Sequence, residues 1–377
     1  MPGQTQAVKT LSQIIRAAVA ASGVLPFARF MELALYCPVH GYYERQKDNV
    51  GQRGDFYTSV STGELFGHLL AFQFANWLAE IKSRNPQLAT LNLIEAGAHD
   101  GRLANDILSW LQSNRPQLFE QLQYVILEPS AGRQEWQQET LKNFSNVRWQ
   151  NSQPITRNPK LTGVIFSNEL LDAMPVHRYG WDFTNKKWFE WGVAVEAEKF
   201  VWAKIQKSAA ASQKLDSLPA ILDLPSALLE VLPDGYTIET SPAAETWWRE
   251  AAGMLAHGKL VAIDYGHSSD ELFSPARTCG TLRAYHRHHI TDDLLANVGE
   301  QDLTAHVNFS AIQKAGEAVG LTTENFTTQS QFLTQILGAA LKDKSFGEWT
   351  ARRTRQFQTL THPEHLGRAF RVLVQSK

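Results

Sequence analysis

Residues 91–111, LNLIEAGAHDGRLANDILSWL, limit what this chain can fold into more than any other stretch. An apolar run, Leu91–Ala96, enters a turn holding Gly97 and Gly101, and the turn opens onto an amphipathic helix. A second apolar run, 124–127, follows about one crossover unit later and ends on Glu128. Glycines in such a turn let backbone approach a ligand closely, and the helix behind it aims unpaired N–H groups at the same point. An acid at the end of the next strand is placed to accept hydrogen bonds from ribose hydroxyls. This order predicts a nucleotide-like ligand on an α/β sheet.

The spacing narrows the ligand. A dinucleotide turn reads G-x-G-x-x-G, its glycines backing onto a pyrophosphate. Here the order is Glu95-x-Gly97-x-His99-x-Gly101, with no G-x-G and with Asp100 inside the turn. Glu95 and Asp100 would repel a pyrophosphate and attract a sulfonium or an amino group. The order resembles the E/D-x-G-x-G-x-G turn of class I S-adenosylmethionine methyltransferases, with His99 at the middle glycine. A plain strand-to-helix turn of an α/β protein is the competing reading.

Bulk properties narrow the partners. A chain of 377 residues with 43% hydrophobic content makes one large elaborated domain or two smaller ones. The net charge is −2 and the 36 basic residues are scattered, so no footprint for nucleic acid is present and a peptide or small-molecule substrate is preferred. Cys37 and Cys279 are the only cysteines, which leaves neither a disulfide framework nor a cysteine zinc site. No apolar run approaches the length of a membrane span, and the N-terminus lacks the apolar core of a secretory signal. Leu11, Ile14, Ile15, Ala18 and Val19 fall on one helix face instead, and with Lys9 and Arg16 they only thinly mimic a transit peptide. A bacterial cytoplasm is the expected location, the mitochondrial matrix only for a eukaryotic source. The oligomeric state stays open, and a homodimer is compatible with the sequence.

Along the chain, the spacing predicts helices over 10–22 and 27–36, with Pro26 at a helix start. Residues 37–63 form a polar, glycine-rich loop too long for a plain connector. A long helix covers 64–81. Strands at 91–96, 122–128, 146–150 and 161–167 alternate with helices at 102–113 and 130–142, which argues for a mainly parallel sheet with right-handed crossovers. The stretches 177–183, 187–195 and 199–206 alternate like β-hairpins, and 207–228 is a small-residue-rich insertion or flap. The core is expected to resume with a strand at 236–239, a helix at 242–256 and a strand at 260–263 that delivers Asp264-Tyr265-Gly266. After a polar loop come helices at 308–319 and 330–341, then a closing strand at 370–374.

Seven segments standing in order resemble the MidA family: GDFYTS (54–59), EAGAHDGRLANDIL (95–108), ILEPS (126–130), SNELLDAMPVHR (167–178), AIDYGH (262–267), GTLRAYHRHH (280–289) and DLTAHVNFSAI (302–312). The resemblance implies an S-adenosylmethionine-dependent methyltransferase with a Rossmann-like, seven-stranded α/β sheet, an antiparallel last strand and an inserted lid. Its mitochondrial member is a protein-arginine methyltransferase that makes symmetric dimethylarginine on a subunit of respiratory complex I. An arginine acceptor in a partner protein is therefore implied. Three regions follow: 1–90, with N-terminal helices and a cofactor-covering loop; 91–180 together with 230–377, the core with acceptor-side elements; and 181–229, the inserted lid.

Under that resemblance Gly97, His99 and Gly101 shape the turn around the methionine moiety, with Glu95 near its ammonium. Glu128 takes the ribose hydroxyls, or is a solvated strand-end acid, with Pro129 and Ser130 beside it. Ser130 also fits a helix N-cap. Gly54, Asp55, Phe56 and Thr58 lie over the cofactor, or form an ordinary surface loop. Asn168 and Glu169 follow the fourth strand, where this class contacts both cofactor and acceptor. Methyl transfer is an in-line displacement from a sulfonium, so the enzyme mainly supplies position and a fitted field. An arginine stays protonated near neutral pH, and a carboxylate forking onto it can also take its proton. Glu169 is the first candidate, with Asp172 or Glu190 second; a helix cap within the loop is the other reading of Asp172. Asp264, Tyr265, His286, His306 and Phe309 are expected on the acceptor side.

His286, His288 and His289 cluster, but no H-x-x-x-H with a partnered acid sits on a clear helix, so no metal is expected. Trp188, Trp191 and Trp202 are candidates for a substrate wall. Two other classes compete. One is an assembly factor that keeps the cofactor fold without turnover, favoured if His99 crowds the ligand. The other is a nicotinamide-dependent oxidoreductase, which the missing G-x-G disfavours.

Overall fold

The computed structural model describes residues 10–45, 58–151, 160–205, 226–286 and 289–377. They fall into two units. One draws on Asp48–Ala173, Ala244–Ser269 and His306–Lys377, the other on Met1–Lys47, Met174–Ala243 and Asp270–Ala305.

The first unit is built on a sheet of β1 (Leu91–Ala96), β2 (Leu122–Leu127), β3 (Val147–Gln150), β4 (Leu161–Asn168), β5 (Leu255–His267), β6 (Thr322–Thr328) and β7 (Phe370–Ser376). Their spatial order is β6-β7-β5-β4-β1-β2-β3, and the short strand Val307–Asn308 adds to the end of β5. Neighbours pair in parallel except β7, which is antiparallel to both β5 and β6. The expected seven strands with a reversed last one are thus present. The central strands read as nearly continuous apolar runs because both faces are covered. Helix Leu65–Arg84 covers one face, and its Phe74 ring lies 4.8 Å from Phe166 of β4. Both side chains are fully buried, which is worth about 1.5–3 kcal/mol each.

The topology places the ligand edge. The chain steps outward from β1 to β2 and β3, then returns to β4 on the other flank of β1. In open α/β sheets ligands bind beyond the carboxyl ends of the strands at such a reversal. Register brings those ends level: Ala96 pairs with Leu127 and Ser167, and Asn168 pairs with Ile263. Among the elements of this unit not read from the sequence are β6, the short helix Pro116–Glu120 and helix Ala351–Thr361. β6 is an edge strand, TTENFTT, and buries too little on either face to show an apolar period.

The second unit holds a sheet of Leu25–Pro26, His177–Asp182, Lys187–Glu196, Lys199–Lys204 and Thr237–Thr240. The three hairpin stretches form where expected. The strand at 236–239, expected to resume the core, pairs instead with His177–Asp182, from His177↔Thr240 to Gly180↔Thr237. Helices Leu11–Ser22 and Phe27–Tyr36 belong to this unit, with Phe27 at 4.9 Å from Trp202 and Phe30 at 5.7 Å from Phe200. Thr10 and Gln13 close the first helix with a reciprocal capping box. The stretch read as a polar loop contains a three-stranded sheet, Arg283–His286, His289–Thr291 and Asp302–Thr304. Strands of four residues or fewer are too short to display a period. Most of the 207–228 flap lies outside the described residues; Ser226–Leu229 is a short helix.

Candidate active site

Glu95 shares a sheet face with Leu93 and is carried inward, 2% exposed. Tyr124 of β2 donates its hydroxyl to Glu95 Oε2 at 2.7 Å. Burial pushes the Glu95 carboxyl up to about 8; the Tyr124 bond pulls it down and the charge of Asp100 adds to the push. Beyond it Gly97, His99 and Gly101 have φ of 74°, 47° and 83°. All three lie in the left-handed region, which glycine enters freely. His99 adopts it at a cost of roughly 1–2 kcal/mol, although histidine does so more readily than most residues. Burial alone would raise the Asp100 carboxyl, but His99 and Arg102 outweigh it and hold it below its ordinary value. A Cβ on Gly97 would stand 2.9 Å from Leu170 Cδ1, so the loop after β4 packs on the turn.

Glu128 is 1% exposed, which removes the reading of a solvated strand-end acid. Its Oε1 accepts from the Ser130 N–H at 2.9 Å and faces Arg133 Nη2 at 2.9 Å, and its Oε2 accepts from Gln137 at 3.0 Å. The Ser130 hydroxyl accepts the Arg133 N–H as a helix N-cap, and Pro129 is exposed. Gln137 also donates to the His99 carbonyl at 2.9 Å and accepts from Trp149 at 3.0 Å. Sequence reasoning missed this residue. The available signal was indirect: helix Ala131–Thr140 has almost nothing apolar to bury, so a polar side chain must face inward, and Gln137 does.

The loop after β4 is the most constrained backbone of the site. Glu169 donates its N–H to the Ile263 carbonyl at 3.0 Å and takes φ 51°. Asn168 Nδ2 donates to Glu169 Oε1 at 3.0 Å, while Asn168 Oδ1 and Ser167 Oγ are buried without a hydrogen-bond partner. Leu170 and Leu171 donate their N–H groups to Asp264 Oδ2 at 3.1 and 2.8 Å, and Tyr265 donates its own to Oδ1 at 2.8 Å. Burial pushes the Asp264 carboxyl up to about 7, against the pull of the backbone amides of Leu171, Tyr265, Leu170 and Asp172. Asp264, expected on the acceptor side, is 0% exposed, and both its oxygens accept from backbone amides. Asp172 is 6% exposed.

The remaining candidates scatter. Phe309 is 1% exposed and packs on Phe326 at 5.4 Å, so it is core and not a pocket wall. Tyr265 is half-buried with its ring 3.9 Å from Phe370, and the His306 ring lies 4.9 Å from His267. Thr58 exchanges backbone and hydroxyl bonds with Ser61, ordinary turn chemistry, whereas Gly54, Asp55 and Phe56 lie outside the described residues. Glu190 and His286 belong to the second unit. There Glu190 Oε1 meets His177 Nδ1 at 2.6 Å, and His286 ends a strand half-buried. Trp188 packs on Trp181 in that unit's core, Trp191 sits against Phe189, and Trp202 lies under the Arg178 guanidinium. Among the described residues no group of three or more His, Cys, Asp or Glu is placed to hold a metal.

The ligand edge fits S-adenosylmethionine. It offers a left-handed turn, a buried acid at the end of β1, a second after β2, and unpartnered buried oxygens at Ser167 and Asn168. Fold and edge together define a class I S-adenosylmethionine-dependent methyltransferase. The profile of a family of S-adenosyl-L-methionine-dependent methyltransferases matches residues 69–327. A crystal structure from Burkholderia thailandensis bound to S-adenosyl-homocysteine is 31% identical, covers 97% of this chain and 92% of that one, and superposes with a TM-score of 0.79. The protein arginine methyltransferase NDUFAF7, mitochondrial, of Danio rerio is 26% identical over 82% of this chain and 73% of its own length. Its Homo sapiens counterpart is 28% identical over 79% and 67%. This chain belongs to that methyltransferase family, as the resemblance to MidA implied, and it is an enzyme that uses S-adenosylmethionine.

Proposed function

We propose that the chain methylates an arginine side chain in a partner protein, with residues 168–172 on the acceptor side. The carrying observation is Glu169, a non-glycine residue held at φ 51° at the ligand edge of the sheet. Strained backbone of this kind concentrates at functional sites. S-adenosylmethionine supplies a methyl group on a positively charged sulfur. Glu95 takes the ammonium of the methionine moiety and Glu128 the ribose hydroxyls. Glu169 forks onto the acceptor guanidinium, aligns one nitrogen with the methyl carbon, and takes the proton as the N–C bond forms and the C–S bond breaks. Asn168 Oδ1 accepts from a second guanidinium N–H.

The arginine acceptor is supported by the names of the relatives, which are protein arginine methyltransferases. A respiratory complex I subunit is the acceptor that the MidA resemblance suggests. The proposed setting is the cytoplasm of a bacterium, or the mitochondrial matrix if the source is eukaryotic, a choice supported by the word mitochondrial in the relatives' names. Among the described residues no helix is long and apolar enough to cross a membrane.

Glu169→Gln tests the reading. Calorimetric affinity for S-adenosylhomocysteine should stay within about threefold. Transfer of tritiated methyl into the proteins of a lysate lacking the enzyme should fall roughly 100-fold or more. Parallel loss of S-adenosylhomocysteine binding would assign Glu169 to the cofactor, and unchanged transfer would remove it from the chemistry.

A further inference from the structure

We infer that Asp264 is a positioning residue for methyl transfer: from inside the sheet unit it gathers the backbone of 170–172 and so holds Glu169 in its left-handed conformation. The inference rests on the reading of Glu169 as the group that meets the acceptor.

The geometry follows the chain. The last pair of β4 with β5, Asn168 with Ile263, is closed by the Glu169 N–H, which donates to the Ile263 carbonyl. The backbone then reverses at φ 51°, and the next two amides, Leu170 and Leu171, converge on one oxygen of Asp264. The other oxygen is held by the adjacent Tyr265 N–H, which pins the carboxylate to its own strand. One side chain thus ties the end of β5 to the turn that follows β4. A left-handed glutamate persists only where its surroundings over-determine it, and these bonds do so from the C-terminal side while Ile263 does so from the N-terminal side.

A second contact gives the arrangement a functional consequence. The same loop sets Leu170 against Gly97 in the cofactor turn, close enough that a Cβ there would meet Leu170 Cδ1 at 2.9 Å. Asp264 therefore governs the spacing between the turn and Glu169 while its own side chain is 0% exposed. Burying a carboxylate is costly, and an apolar residue of similar volume packs as well or better where only stability is at stake. A displacement of the acceptor group by about 1 Å costs on the order of 100-fold in rate.

Four proteins test this: wild type, Asp264→Asn, Glu169→Gln and the double variant. The readouts are kcat and KM for tritiated S-adenosylmethionine, with lysate protein from cells lacking the enzyme as acceptor, and calorimetric affinity for S-adenosylhomocysteine. Asp264→Asn turns an amide N–H₂ or a weaker acceptor toward the loop amides. It should lower kcat at least about tenfold with KM for S-adenosylmethionine within about threefold. In the Glu169→Gln background the same change should cost less than about twofold, because the two residues act through one geometry. Equal proportional losses in both backgrounds, or a rise in KM that accounts for the loss, would overturn the inference. Should Asp264→Asn fail to fold, hydrogen exchange on the wild type decides: Leu170 and Leu171 amides should be protected like those of β4, and exchange at open-loop rates would overturn it. Wild-type transfer by Glu169→Gln would instead sink the proposed function and the route through Glu169, leaving amide protection to show whether Asp264 holds the loop.

Discussion

Gln137 donates a hydrogen bond across 2.9 Å to the backbone carbonyl of His99, from a helix whose one buried side chain it is. The same amide nitrogen donates to Glu128, so one glutamine braces the turn after β1 and the acid after β2. Gln137→Ala leaves a part-buried carbonyl and a buried carboxylate each short of a donor, a loss of about 1–3 kcal/mol. Chemical denaturation should show that loss, and S-adenosylhomocysteine affinity should fall roughly tenfold with it. Unchanged affinity in a destabilised variant would mean that the brace serves folding alone.

His99 holds a glycine's backbone conformation, so the relevant variants differ in what they allow there. His99→Gly should bind S-adenosylhomocysteine at least as tightly as wild type and unfold at the same or higher denaturant. His99→Val puts a β-branched residue at φ 47° and should lose roughly tenfold or more in affinity. Glycine weakening the complex more than valine would show that the imidazole itself contacts the ligand.

The Gly97 contact makes a paired prediction. Gly97→Ala meets both a φ of 74° and the Leu170 side chain, so affinity and transfer should fall together. Adding Leu170→Ala relieves the clash and not the backbone strain, so recovery should be partial. Full recovery would place the whole effect in the side chain.

With Glu95 at the ligand ammonium, as proposed, binding should depend on pH. Its carboxyl is pushed from an ordinary 4.5 to about 8 by burial, so between those values the folded chain keeps a proton that the unfolded chain has lost. Stability from this group is fully present below 4.5 and is lost as pH rises through about 8. A ligand ammonium beside it favours the charged form, so binding near neutral pH should release a proton. Calorimetry in phosphate and in Tris should give enthalpies that differ accordingly, and Glu95→Gln should shrink the difference. An undiminished difference in Glu95→Gln would place the ammonium elsewhere. Tyr124→Phe removes the bond that lowers the Glu95 carboxyl and should weaken binding at neutral pH.

What the sequence revealed was decided locally. Leu91–Ala96 with its turn, the acid after β2 and the SNELLD segment were legible because strand, turn and helix signals sit within a few residues of one another. Partnership was not. Thr237–Thr240 reads as a strand from its own residues, yet nothing in TIET says that it joins His177–Asp182 and not the parallel sheet. Site chemistry that depends on long-range contacts was equally hidden. Asp264 in AIDYGH gave no sign that one of its oxygens is taken by amides 93 and 94 residues away, and Phe309 gave none that it fills the core. The left-handed φ of Glu169 has no counterpart in residue type, since glutamate is not chosen for that conformation.

The most direct test of the whole account is the identity of the methylated residue. Purified enzyme, tritiated S-adenosylmethionine and protein from cells lacking the enzyme would be incubated, the protein hydrolysed, and the labelled amino acid separated by chromatography. Label is expected in methylated arginine and should be absent when Glu169→Gln replaces the wild type. Label in another amino acid, or arginine labelling that survives the substitution, would contradict that expectation.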